Sequence, residues 1–127
     1  MPSKILLIDD EEQLTRMLKT GLEAGGDFEV HMANSGKDGL QLARRLNPDV
    51  IILDICMPRM NGIEVLRSLK SAHPVSSIPV IMLSSLSDES TKMECNYEYG
   101  EEYIQKPVAI ADLKARIEAV LRRTGRR

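Results

Sequence analysis

Lys4-Ile5-Leu6-Leu7-Ile8-Asp9-Asp10-Glu11 is the stretch on which the fold turns. Its four consecutive apolar residues leave no polar face, as expected of a strand covered on both sides of a parallel sheet. An acidic run that begins Asp9-Asp10-Glu11 then follows without a break. Further along, Val50-Ile51-Ile52-Leu53 runs into Asp54, and Pro79–Leu83 runs into Ser84-Ser85. Glu29–Ala33 and Tyr103–Gln105 are two shorter apolar runs, and the second leads into Lys106-Pro107.

Helical patterns fill the intervals. Leu14, Met17, Leu18, Gly21 and Leu22 recur at the three-and-four spacing of one helix face. Leu40, Ala43 and Leu46 form a second stripe, Ile63, Leu66 and Leu69 a third, and Leu113, Ile117, Val120 and Leu121 the last. Ser35 with Asp38 resembles a capping box, and Asn47-Pro48 stops that helix. Asn61-Gly62 would suit a hairpin, but the helical stripe after it predicts a loop entering a helix. Asp88–Tyr99 carries helix formers with a thin apolar stripe of Met93 and Tyr97. Alternating strands and helices predict an α/β fold, a doubly wound five-stranded parallel sheet of five βα units. Right-handed crossovers favour the flavodoxin-like order 2-1-3-4-5.

At 127 residues the chain suits one domain. We place that domain over residues 1–121 and read 122–127 as a basic tail whose sequence resembles the start of an interdomain linker. Its apolar runs are too short to span a bilayer, and the first is too short for a signal-peptide core, so a cytoplasmic protein is expected. A net charge of −2, no Trp, one Phe and three Tyr argue against direct nucleic-acid or membrane binding. Cys56 and Cys95 lack metal-ligand spacing and read as reduced, mostly buried thiols.

In such sheets ligands bind beyond the carboxyl ends of the strands. Asp9-Asp10-Glu11, Asp54, Ser84 and Lys106 would gather at that rim from four strand ends. Taken singly, an Asp after a strand is more often a helix cap or turn residue, and Lys106 a solvated lysine. Taken together they form a site. Two carboxylates about 4 Å apart repel by roughly 4 kcal/mol at an effective dielectric of 20, so a cation is needed. Hard oxygen ligands suit Mg²⁺. Carboxylates, a divalent ion, a lysine and a hydroxyl suit phosphoryl transfer, where a carboxylate can be the nucleophile.

Lys4–Glu11, Asp54-Ile55-Cys56-Met57-Pro58-Arg59-Met60-Asn61-Gly62 and Tyr103-Ile104-Gln105-Lys106-Pro107 together resemble a response-regulator receiver domain, from Lys4 to about Leu121. The resemblance implies that Asp54 is the phosphoacceptor of a two-component system or phosphorelay. Asp10 and Asp54 would bind Mg²⁺ directly, Asp9 through water and Cys56 through its backbone carbonyl. Ser84 would bond the phosphoryl group, Lys106 would pair with its charge, and a cis peptide would precede Pro107. Ser84 and Tyr103 would be the switch residues. The implied partners are a histidine kinase or phosphotransfer protein, an output domain or protein, and a homodimer through the fourth and fifth βα segments. Tyr99 and Gly100 depart from the family's usual Gly and Ala, and with Cys95 and Asn96 they make that surface atypical. Neither Cys56 nor Leu86 can orient an attacking water, which implies slow loss of the phosphoryl group.

Three other readings compete. A haloacid-dehalogenase-like phosphohydrolase wants an Asp where Cys56 stands. A flavodoxin-like flavin carrier wants a phosphate-cradling loop where Asp9-Asp10-Glu11 stands. The third is a phosphorylation-independent receiver-like interaction module. We expect a signalling switch that is not an enzyme on other substrates.

Overall fold

The computed structural model describes residues 2–55, 57, 61–71, 73–84 and 102–126. In chain order these form β1 (Ser3–Ile8), α1 (Glu12–Glu23), β2 (Phe28–Ala33), α2 (Gly36–Leu46), β3 (Val50–Asp54), α3 (Gly62–Lys70), a 3-10 turn at Val75–Ser77, β4 (Val80–Ser84), β5 (Glu102–Gln105) and α4 (Ile110–Arg123). The helix expected over Asp88–Tyr99 lies outside the described residues, as do Cys56, Leu86, Cys95 and Gly100.

The five strands form one parallel sheet in the order β2-β1-β3-β4-β5, as expected. Both faces of the central strands are covered, which explains their unbroken apolar runs. Leu6, Ile8, Ile51, Leu53 and Met82 pack with Ala43 of α2 and Leu66 and Leu69 of α3. Ile5, Leu7, Ile52, Ile81 and Leu83 pack on the other face with Leu18 and Leu22 of α1 and Leu113, Ile117 and Leu121 of α4. Neighbouring residues of one strand thus enter opposite layers, following the two-residue period of a strand.

The helix boundaries follow local chemistry. Ser35 Oγ accepts the Asp38 amide, which is half of the expected capping box. Asn47 ends α2 in the left-handed region, at φ 48°, with its N–H on the Ala43 carbonyl. Asn61 Oδ1 accepts the Glu64 amide and starts α3, so Asn61-Gly62 does lead into a helix. Gly62 is required there by close approach: a Cβ would sit 2.6 Å from Ile55 Cα and against the Asp54 carbonyl oxygen. At the end of α4, the Arg126 amide reaches back to the Leu121 carbonyl with Gly125 at φ 72°. Arg122 and Arg123 form the last helical turn, where cations are favoured.

One stripe differs from its expectation. Met17 is exposed, and Thr15 takes the inward place beside Leu18 and Leu22. Periodicity counted Met17 because it is apolar, whereas Thr15 tolerates burial by donating its hydroxyl to the Glu12 carbonyl.

Candidate acidic site at the sheet rim

The neighbouring strands β1 and β3 end at the same level, because they pair Ile8 with Leu53. The next residue of each chain is an aspartate, so Asp9 and Asp54 emerge side by side. Ligand oxygens of Asp9, Asp10 and Asp54 lie within 4.8 Å of one another. Asp9 is fully buried and Asp54 nearly so, while Asp10 is exposed. The capping alternative is excluded for α1, whose N-cap residue is Glu11 and whose first turn receives no side-chain cap. Asp9 does act in the turn: Oδ1 accepts the Glu11 amide at 3.0 Å. Asn34 Nδ2 donates to the Asp9 carbonyl at 2.8 Å and to Thr15 Oγ1 at 3.3 Å, which ties the end of β2 to this turn.

Lys106 enters from the loop after β5. Its amide donates to the Ser84 carbonyl at 2.6 Å, and the Lys106–Pro107 peptide is cis, as expected. Nζ lies 3.0 Å from Asp9 Oδ2, 3.1 Å from Glu11 Oε1 and 3.2 Å from Asp54 Oδ1. Burial by itself pulls the ammonium pKa down. The short contact with Asp9, the charges of Asp54 and Asp9 and the hydrogen bond to Glu11 outweigh it and hold that pKa above the ordinary lysine value. Among the described residues Lys106 meets three carboxylates and Asp10 stands beside them, so the site carries more negative than positive charge.

That imbalance bears on the expected Mg²⁺. Asp9 Oδ2 is buried and makes the ion pair with Lys106, and among the described residues no further donor reaches it. A buried carboxylate oxygen with spare acceptor capacity, beside two more carboxylates, fits a hard divalent cation.

Ser84 ends β4 as a buried polar residue, next to Gln105 in the register of β4 and β5. Tyr103 stands two residues before Gln105 on β5, half-buried against the layer that holds α2 and α3. The expected ligand Cys56 lies outside the described residues. Sequence reasoning missed roles for Glu11, Thr15 and Asn34. Glu11 was visible within the acidic run, but its reach to a lysine 95 residues away was not.

A family model described as response regulator receiver domain matches residues 5–118. Response regulator MprA of Mycolicibacterium vanbaalenii is 34% identical over 98% of the chain, which covers 52% of that protein. A Porphyridium aerugineum protein named "Probable transcriptional regulator ycf27" is 37% identical over 97% of the chain, which covers 50% of it. The chain thus spans about half the length of these relatives. Among solved structures, a response regulator receiver domain protein of Clostridium thermocellum superposes with a TM-score of 0.88 at 34% identity, covering 97% of both chains. Chemotaxis protein CheY4 of Vibrio cholerae gives 0.87 at 27% identity, over 95% of this chain and all of that one. Among the described residues no helix is long and apolar enough to cross a membrane.

Proposed function

We propose, for a chain that belongs to the response regulator receiver domain family of two-component signalling, that Asp54 accepts a phosphoryl group and thereby switches an output. The observation that carries this reading is the ion pair of Lys106 with Asp54 inside the buried carboxylate cluster. A cation already aimed at the acceptor oxygen is what a transferred phosphoryl group requires.

In the reaction an Asp54 oxygen forms a bond to the donor phosphorus. The donor's P–N bond (phosphohistidine) or P–O bond (acyl phosphate) breaks, and its electron pair leaves with the donor. Lys106 supplies fixed positive charge at the equatorial oxygens, and the Ser84 hydroxyl is the hydrogen-bond donor drawn toward them. Asp9, Asp10 and Asp54, with the Cys56 carbonyl, would hold Mg²⁺, Asp10 and Asp54 directly and Asp9 through water. Mg²⁺ when bound neutralises charge that one lysine cannot. The covered sheet around Asp54 keeps bulk water from its inner side. Ser84 and Tyr103 then link the site to the fourth and fifth βα segments, where a population shift alters the surface offered to an output domain, a partner protein or a second copy. The donor is a histidine kinase or phosphotransfer protein in the cytoplasm, and the relatives named as regulators of transcription support an output of that kind.

The test is intact mass after incubation with a small acyl phosphate, with and without Mg²⁺, on wild type and Asp54→Asn. Mg²⁺-dependent gain of one phosphoryl group, lost in the variant, is the expected result. No gain by folded wild type would overturn the reading and leave a phosphorylation-independent interaction module.

A further inference from the structure

Lys106 has three carboxylate partners, and one of them has no part in the reaction just described. Its Nζ contacts Asp9, Glu11 and Asp54 at 3.0, 3.1 and 3.2 Å, and the contact to Glu11 has hydrogen-bond geometry. An ammonium carries three N–H groups, and three carboxylates crowd it. A phosphoryl group on Asp54 turns that partner into an acyl phosphate and adds strong acceptor oxygens, and Asp9 and Glu11 are then the carboxylates that compete with them for Lys106.

Burial decides which partner leaves. The Asp9 side chain is 0% exposed, so bulk solvent cannot take the place of the lysine there. The Glu11 side chain is 60% exposed, so solvent takes over its hydrogen bonds at once. Glu11 is also free of the helix-capping duty its position would suggest.

We propose that Glu11 is a positioning residue that competes with the phosphoryl group for Lys106 and so biases the switch toward its unphosphorylated form. The inference rests on the reading of Asp54 as acceptor. Glu11 and Lys106 also join the start of α1 to the loop after β5, across a groove of about 360 Å³ lined by Leu14, Met17, Pro107 and Val108. Transfer of Lys106 to the phosphoryl group therefore releases a strap between two elements as well as a charge.

The experiment measures affinity for trifluoroberyllate, a phosphoryl mimic, at saturating Mg²⁺, with Mg²⁺ affinity determined separately for each protein. Removing the competitor in Glu11→Gln should tighten mimic binding about two- to fivefold, the range expected of a half-exposed ion pair. In 1 M salt, where the Debye length is about 3 Å, the gain should shrink toward nothing. Glu12→Gln is the control, because it removes the same charge one residue away from a side chain that bonds Arg16. It should bind as wild type does. Unchanged or weaker binding by Glu11→Gln overturns the proposal, and so does an equal gain in Glu12→Gln, which would mean a general field effect. If wild type and both variants fail to bind the mimic, the reading of Asp54 falls and the competition falls with it. That outcome is distinct from normal wild-type binding with an unaltered variant.

Discussion

Asp54→Asn should make the divalent-free protein more stable. The Asp54 ligand oxygen lies within 4.8 Å of those of Asp9 and Asp10. At an effective dielectric of about 20, each such pair repels by at least roughly 3.5 kcal/mol, or about 7 kcal/mol for the two. Lys106 at 3.2 Å returns about 5 kcal/mol. Counted against Lys106 alone, removing the charge is favoured by about 2 kcal/mol, and the nearly complete burial of Asp54 adds to the same side. Asparagine keeps the shape of the side chain, and Lys106 retains Asp9 and Glu11. The expected gain of about 1–2 kcal/mol corresponds to a rise in Tm of about 3–10 °C for a domain of this size. Thermal unfolding in EDTA and in millimolar Mg²⁺ is the assay. Mg²⁺ should stabilise wild type by mass action and the variant less, so the gap should close as the ion is added. A variant no more stable than wild type in EDTA, or equal stabilisation of both by Mg²⁺, would refute the account of the site as a repulsive cluster held for a cation.

Two further outcomes follow from contacts outside the reaction. Gly62→Ala should lower the urea midpoint by the equivalent of about 1–3 kcal/mol at unchanged m, because the added Cβ meets the backbone of Asp54 and Ile55, which cannot yield cheaply. Glu23→Gln should lose stability that depends on pH. The Val30 amide donating to Glu23 is the main reason its carboxyl sits below the ordinary value of 4.5, with burial opposing and Lys19 assisting. A depressed folded pKa contributes stability that is full above 4.5 and lost as pH falls through the lower folded value. The difference between wild type and Glu23→Gln in chemical unfolding should thus be constant from pH 7 to about 5 and shrink below 4.5; a constant gap down to pH 3 would count against it.

Most of the architecture could be read in advance from strand composition. Val50–Leu53 and Lys4–Ile8 have no polar face, and only a sheet covered on both sides accepts such strands, so the order and parallel sense followed from the crossover rule. Met17 shows where periodicity stops informing: a helix-face count scores apolar character, while Thr15 was drawn inward by a hydroxyl that found a local acceptor.

The site divides along the same line. Sequence alone determined which residues crowd the rim, because a buried strand must end where polar residues begin, and four of its strand ends carry Asp9, Asp54, Ser84 and Lys106. Tertiary structure alone decided how those charges are apportioned. It buried Asp9 and left Asp10 and Glu11 in water, and it gave the hydrogen bond of Lys106 to Glu11. Burial and partner choice depend on distances between segments that meet only on folding, from residue 9 to residue 106, and no local pattern encodes those distances.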